Sequence, residues 1–292
     1  MKNNTINIVW LKRDIRSQDH EPLLRAERAG IPYRIIYLFE PKLISYPDTS
    51  PRHLKFIYYS ILALNKSLAQ FNRGVDVFYG EAIDVFKYLN ENFDIKNIFS
   101  FRESGIQISY DRDKNLKVFC TQHQISWKES QRDGVLRGIK NRDDWNKKWH
   151  AAMHTPIIQN KYSKSQDKKL EHDFRLPKNL EKQLREYPKQ YQPAGEHNAI
   201  RYLKSFTDKR GSNYQRHISK PTESRFGCSR LSPYLAWGNI SVKQAFQYIG
   251  THPNGRKNNK AFSAMLTRLH WHCHFIQKFE VECSYETHCI NS

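Results

Sequence analysis

Residues 224–240 read Ser224-Arg225-Phe226-Gly227-Cys228-Ser229-Arg230-Leu231-Ser232-Pro233-Tyr234-Leu235-Ala236-Trp237-Gly238-Asn239-Ile240, the most informative run in the chain. Two hydroxyls, Ser229 and Ser232, stand three positions apart behind a small-residue turn at Gly227-Cys228. Pro233 follows where a first helical turn would begin, and its missing N–H would have had no partner there anyway. Serine ahead of such a helix is an ordinary cap. The same arrangement also suits an anion, because free backbone N–H groups and the positive end of the helix dipole face one point.

The chain has 292 residues, enough for two domains with cores of their own. Lys and Arg number 48 against 29 Asp and Glu, a net charge of +19. Charge of that size serves solubility, and it also fits a polyanionic partner, either nucleic acid or an anionic membrane surface. No apolar run approaches the roughly 18–20 residues of a membrane span, and residues 1–4 lead straight into a strand with no signal-peptide pattern. Nucleic acid is therefore the expected partner, no membrane is expected, and the cytoplasm is the expected place. The five cysteines, Cys120, Cys228, Cys273, Cys283 and Cys289, are odd in number and crowd toward one end, which argues against a disulfide framework. Aromatic residues make up 13% of the chain; beside Arg and Lys they suit base stacking, though most belong to core.

From the start of the chain, short β-rich runs at 6–11, 33–39, 75–79, 98–100 and 125–129 alternate with helical stretches at 20–29, from Pro51 onward, at 81–92 and at 105–122. Ser50-Pro51 is a helix start, with serine as the cap and proline in the first turn. Alternation of this kind builds a doubly wound parallel sheet covered by helices on both faces, an α/β domain over residues 1–132. Such sheets bind ligands beyond the carboxyl ends of their strands. Neither a G-x-G-x-x-G nor a Walker A pattern is present, so the common dinucleotide and nucleoside-triphosphate readings lose ground. Arg13-Asp14 and Arg16-Asp19 read as structural ion pairs near the sheet.

Residues 133–195 read as a long interdomain connection, with one or two helical turns at 145–150 and a Lys-, Gln- and Pro-rich stretch from Thr155. Lys161, Lys164, Lys168 and Lys169 there read as a solvated face rather than a phosphate site. Residues 196–292 read as all-α. A helix runs over 196–206, Ser241 and Gln244 form a capping box for a helix to Ile249, and a last long helix covers 260–279. His270 and His274 are one turn apart on that last helix. The residue after His270 is Trp271 rather than the Glu of zinc helices, and Cys283, His288 and Cys289 follow no standard zinc spacing, so no metal is expected.

Residues 228–241 resemble the flavin-phosphate segment of the photolyase/cryptochrome family, commonly Thr-Ser-Arg-Leu-Ser-Pro-Tyr-Leu, a small residue, then Gly. Cys228 stands where Thr is usual and supplies one hydroxyl fewer. Residues 9–20, Val9-Trp10-Leu11-Lys12-Arg13-Asp14-Ile15-Arg16-Ser17-Gln18-Asp19-His20, resemble the opening of that family's N-terminal domain. The resemblance implies an α/β antenna domain at 1–132, a connection at 133–195, and the first part of a helical FAD-binding domain at 196–292, since the family's helical domain continues further. It implies FAD as cofactor, with Cys228, Ser229, Arg230, Leu231 and Ser232 around the flavin phosphates and Tyr214 near the same region. Many members carry a second, light-harvesting chromophore, a folate or a deazaflavin. Folate-binding relatives commonly place Asn-Glu before the Arg-Asp that here is Arg112-Asp113, and this chain has Ile108-Ser109 at that place, so no folate site is carried over.

The resemblance further makes Trp271 the aromatic against which a flipped-out lesion stacks, and hence the catalytic-site candidate, with Arg268 beside it on the DNA. Dimer-repair members commonly carry Glu where Arg268 stands, and Arg where His272 stands. The function implied is a DNA photolyase: a monomeric, light-dependent repair flavoprotein that binds UV-damaged DNA and splits pyrimidine dimers by photoinduced electron transfer from reduced FAD. Two alternatives stay open, a cryptochrome-like blue-light photoreceptor without repair, which Arg268 favours, and an inactive DNA-binding fragment.

Overall fold

The computed structural model describes residues 4–166 and 170–289; Lys168 and Lys169 lie outside the described residues. In chain order the elements are β1 (Thr5–Leu11), α1 (Glu21–Arg28), β2 (Tyr33–Phe39), α2 (Pro41–Ile44), α3 (Pro51–Leu68), β3 (Val75–Tyr79), α4 (Ala82–Asn92), β4 (Asp94–Phe101), α5 (Gln107–Gln122) and β5 (Ser126–Ser130). They continue with α6 (Trp145–Met153), α7 (Lys178–Arg185), α8 (Glu196–Asp208), α9 (Tyr214–His217), α10 (Pro221–Gly227), α11 (Ser232–Ala236), α12 (Val242–Thr251) and α13 (Asn259–Val281). The chain divides into two compact units, one of Met1–Ser130 with Ile158–Gly195, the other of Gln131–Ile157 with Glu196–Ser292.

The first unit is the doubly wound sheet that the alternation predicts. Its strand order is β3-β2-β1-β4-β5, and every pairing is parallel. Strand β1 is central because, Asn7 apart, its residues from Ile6 to Leu11 are apolar, and it is buried over that whole length. Trp10 packs edge-on to Phe86 and against Trp127, joining Ile6, Ile8, Ile98 and Leu116 in one core. The start of α3 follows the cap read from sequence, and α1 has a cap that the sequence reading did not name. Ser50 accepts from the His53 N–H ahead of α3, and the His20 ring accepts from the Leu23 N–H ahead of α1.

Two expectations change. The residues at 13–19 do pair, but Arg13 reaches Glu103 at 3.0 Å and Asp14 holds the His20 Nε2 at 2.7 Å, while Arg16 donates to the Asp19 carbonyl at 2.8 Å. Strands β1 and β4 are parallel neighbours, so the loops that follow them lie side by side and bring Glu103 to Arg13. The stretch 133–195 differs more. Its first part bears out the helical turns expected at 145–150 and extends them into α6, where Trp145, Trp149 and Met153, four apart, turn one stripe into the core of the helical unit. Its second part lies on the sheet unit. Asn160 exchanges hydrogen bonds with the His20 backbone, Phe174 packs on Phe78 and Tyr88, and Leu184 of α7 is buried.

The second unit is all-α. On α8, Ala199, Leu203 and Phe206 face inward. The Ser241–Gln244 capping box opens α12 as expected, with both reciprocal bonds present at 2.9 Å. No helix among the described residues is long and apolar enough to cross a membrane.

Candidate functional site

The serine-rich run sits between two short helices of the helical unit. After α8 the chain makes a tight turn at Arg210–Asn213 and enters α9 and then α10. Gly227 is the last residue of α10, where a Cβ would stand 2.2 Å from the His217 Nδ1, so only glycine lets α10 lie this close to α9. The turn expected at Gly227-Cys228 therefore falls one step later, at 228–231. There Arg230 adopts φ 58°, a left-handed conformation that a residue with a Cβ takes at a cost of about 1 kcal/mol. Leu231 returns to φ −80°, ψ −12°. Its N–H meets the Ser229 Oγ at 3.4 Å. Pro233 occupies the first turn of α11, as its position predicts. That helix stops at Gly238, φ 68°, where the Asn239 N–H reaches the Tyr234 carbonyl at 2.8 Å and the Gly238 N–H the Leu235 carbonyl at 3.3 Å, a paired C-cap.

Ser229 is buried, Cys228 and Arg230 are half-buried, and Ser232 is exposed. Leu231 is 1% exposed, so its side chain is core and only its backbone is available to a ligand. Tyr214 of α9 is buried, with its ring 5.5 Å edge-on from Phe206. Burial pushes its phenol up to about 12, with Cys228 and Arg268 as the next influences, so it stays a neutral donor at physiological pH.

On α13, Met265, Leu269, Cys273 and Gln277 are buried, and the opposite side carries Arg268, Trp271 and Phe275. Trp271 is 44% exposed and Phe275 62%; the Arg268 guanidinium stacks 4.4 Å over the Trp271 ring. Phe226 of α10 is exposed as well. The His272 Nε2 is buried, with no hydrogen-bond partner among the described residues. The His270 Nε2 lies 3.0 Å from the Asn146 Oδ1, and the His274 Nε2 3.2 Å from an Arg142 nitrogen. Among the described residues no group of three or more His, Cys, Asp or Glu is placed to hold a metal.

Two residues of consequence escaped sequence reading. The Gln277 side chain clasps the backbone of Leu136, accepting its N–H at 2.6 Å and donating to its carbonyl at 2.8 Å. Arg210 donates from one guanidinium to the carbonyls of Tyr202, Cys228 and Ser229. Neither stands in a motif. The one signal was a glutamine on the buried stripe of α13, spaced four from Cys273. The donor set at 228–232, two serine hydroxyls, consecutive backbone N–H groups and the Arg230 guanidinium, has the chemistry of a phosphodiester or pyrophosphate site and so fits the phosphate end of FAD.

Comparison with known proteins points the same way. The family model for DNA photolyase matches residues 7–164. A deoxyribodipyrimidine photo-lyase of Buchnera aphidicola is 25% identical over 262 residues, covering 83% of this chain and 53% of that protein. One from Vibrio cholerae is 22% identical over 291 residues, covering 91% of this chain and 60% of that protein. Among solved structures, an archaeal photolyase from Sulfolobus tokodaii, described with two FAD molecules, superposes with a TM-score of 0.75 at 19% identity over 97% of this chain and 61% of its own. A Synechocystis cryptochrome gives 0.73 at 20% identity over 96% of this chain and 62% of its own. The chain thus spans between about half and three fifths of the length of these relatives.

Proposed function

The chain belongs to the DNA photolyase family, and on that premise we propose that it is the antenna unit and the first part of the flavin unit of a light-dependent DNA repair enzyme acting on UV-damaged DNA. FAD is the cofactor, held at its phosphates by the hydroxyls of Ser229 and Ser232, the N–H groups of 229–232 and Arg230. Tyr214 stays protonated beneath the loop as a neutral neighbour. Bound FAD supplies a light-excitable electron donor for the damaged base pair.

The protein's own part is recognition. A base inside a duplex is out of reach, so the lesion must be flipped at a cost of a few kcal/mol. An aromatic that stacks on the flipped base returns about 1–3 kcal/mol. Trp271 is suited to this, being a large exposed ring on the rigid helix α13, and this is the observation that carries the proposal. Arg268 and the surplus of basic residues hold the phosphate backbone, so affinity falls steeply with salt. The second reading is a cryptochrome-like photoreceptor without repair. One contact favours it: Arg268 lies over the Trp271 ring, on a face a flipped base would otherwise use.

The test has two steps. The chain is purified in the dark, its absorption spectrum recorded and any released chromophore identified. It is then illuminated with UV-irradiated oligonucleotides and added FAD under reducing conditions. A flavin band together with loss of dimers supports the repair reading. A flavin band with intact dimers, by a protein of the relatives' full length as well, overturns repair in favour of the photoreceptor.

A further inference from the structure

We propose that Arg210 is the positioning residue of the phosphate loop, holding Cys228 to Leu231 in its anion-receiving shape. This rests on reading that loop as the flavin-phosphate site. Arg210 follows α8, and all three of its guanidinium nitrogens are engaged. Its Nε lies 3.2 Å from the Ser205 Oγ, one terminal nitrogen donates to the Cys228 carbonyl, and the other donates to the Tyr202 carbonyl at 2.9 Å and the Ser229 carbonyl at 3.2 Å. The guanidinium carbon stands 5.7 Å from the Tyr202 ring. One planar cation therefore pins two consecutive carbonyls of the loop to the end of α8.

The geometry of the peptide bond turns that into function. In a trans peptide the N–H points opposite to the C=O. With the carbonyls of Cys228 and Ser229 drawn to Arg210, the N–H groups of Ser229 and Arg230 point away from it. Arg230 is left-handed and Leu231 right-handed, the pairing that gathers successive N–H groups into an anion-binding nest. Ser229 completes the turn by accepting from the Leu231 N–H. Arg210 holds the two peptides that flank Ser229, and so fixes the chain immediately ahead of the strained Arg230.

The electrostatics support the same role. Among the described residues no carboxylate pairs with Arg210, and Arg230 is its like-charged neighbour. Burial and that neighbour both disfavour its charge, and its pKa is lowered. The Arg210 partners are carbonyls and a hydroxyl, so its positive charge stands beside the loop, where a pyrophosphate would complement it. Cys228 lacks the hydroxyl that Thr would bring, so the loop depends on its carbonyl clamp more than on side-chain donors.

The test uses the whole chain with three probes, inorganic pyrophosphate, FAD and riboflavin, titrated by calorimetry at fixed low salt. Arg210→Met is expected to weaken pyrophosphate and FAD at least tenfold and to leave riboflavin, which has no phosphate, unchanged. Arg210→Lys keeps the charge without the planar fork and should restore affinity only in part. A merely structural role would weaken all three probes alike. Unchanged pyrophosphate and FAD affinity in the folded Arg210→Met chain overturns the proposal; should that chain fail to fold, unchanged affinity in Arg210→Lys does so. If the unaltered chain binds riboflavin but neither phosphate-bearing probe, the loop is no phosphate site, and the flavin-phosphate reading falls together with this one.

Discussion

Arginines at the end of the β-sheet and around the Cys228–Ser232 loop are both held away from solvent, yet they meet opposite partners. Arg112 lies 2.8 Å from Glu40, 2.8 Å from Glu103 and 2.7 Å from Asp113, and its guanidinium stacks on Trp10. Lys12 joins Asp113 and Arg13 joins Glu103. Burial alone would raise the Glu103 pKa, but Arg112, Arg13 and Lys12 together hold it well below the usual carboxylate range. Every cation in that group has its anion, so the group is structure. Arg210 in the helical unit has backbone carbonyls instead and a pKa that falls. An arginine held on carbonyls, with no carboxylate against it among the described residues, is left to meet an anion that comes from outside. Charge alone does not mark a site; uncompensated charge does.

The sharpest way to break this contrast is Arg112→Met. It strands Glu40, Glu103 and Asp113 near one another with fewer cations, and breaking a buried pair on one side costs about 3–5 kcal/mol. Hydrogen exchange read by mass spectrometry on peptides of β1, β4 and α5 should show that loss. Protection unchanged in those peptides would mean the ion group is incidental, and the two sets of arginines would no longer differ in kind.

In the helical unit, by contrast, the buried polar groups should carry stability without charge. Gln277→Leu removes both bonds to Leu136 and leaves a half-buried N–H and carbonyl without the side chain, for a loss of about 1 kcal/mol. Urea unfolding monitored by exchange in the α6 and α13 peptides measures it. A shift within error would show that water replaces the clasp.

Trp271 makes the comparison functional. Its exposed ring contributes little to packing, so Trp271→Ala should change stability by less than about 0.5 kcal/mol. The same substitution should weaken binding to UV-irradiated DNA by about 1–3 kcal/mol while the salt slope of binding stays as it was. A fall in the slope together with unaltered stacking energy would move the recognition role from Trp271 to Arg268.

Much of this was legible in the residues. The strand at 33–39 and the helix at 51–68 stood out because Tyr33 to Phe39 is continuously apolar or amphipathic and Ser50-Pro51 is a strong local start. The capping box at Ser241 was equally local. Long-range partners were not. Nothing near Arg13 in sequence points to Glu103, 90 residues away, and nothing near Arg210 points to Cys228. In the stretch 133–195 the helical turns at 145–150 were legible, but polar composition hid that Trp145, Trp149 and Met153, four apart amid lysines, would anchor α6 in a core. In the serine run, the sequence showed the hydroxyls but not the left-handed Arg230, since an arginine takes that conformation only when its surroundings impose it.

The smallest expected difference between the two units is in their response to acid. In the helical unit His272, His270 and His274 all have pKa values lowered from the usual 6.5. Burial is the first cause for each. Asp133 opposes it and Arg132 adds to it at His272, His150 and His274 add to it at His270, and Arg142 and Lys278 add to it at His274. A histidine held neutral when folded binds its proton first in the unfolded chain. The unfolded state then carries more protons below 6.5, and stability rises with pH through that range. It is fully present above the unfolded value and declines as pH falls from about 6.5. The sheet unit has the buried His20, also lowered, where the Asp14 carboxylate partly offsets burial. Three such groups against one predict that, between pH 7.5 and 5.5, exchange protection falls more steeply in α6 and α13 than in β1 and β4. His272→Phe should flatten that fall, because the Nε2 it removes is buried without a hydrogen-bond partner among the described residues. An unflattened profile would assign the acid response to His270 and His274, and equal slopes in the two units would remove the contrast at this level.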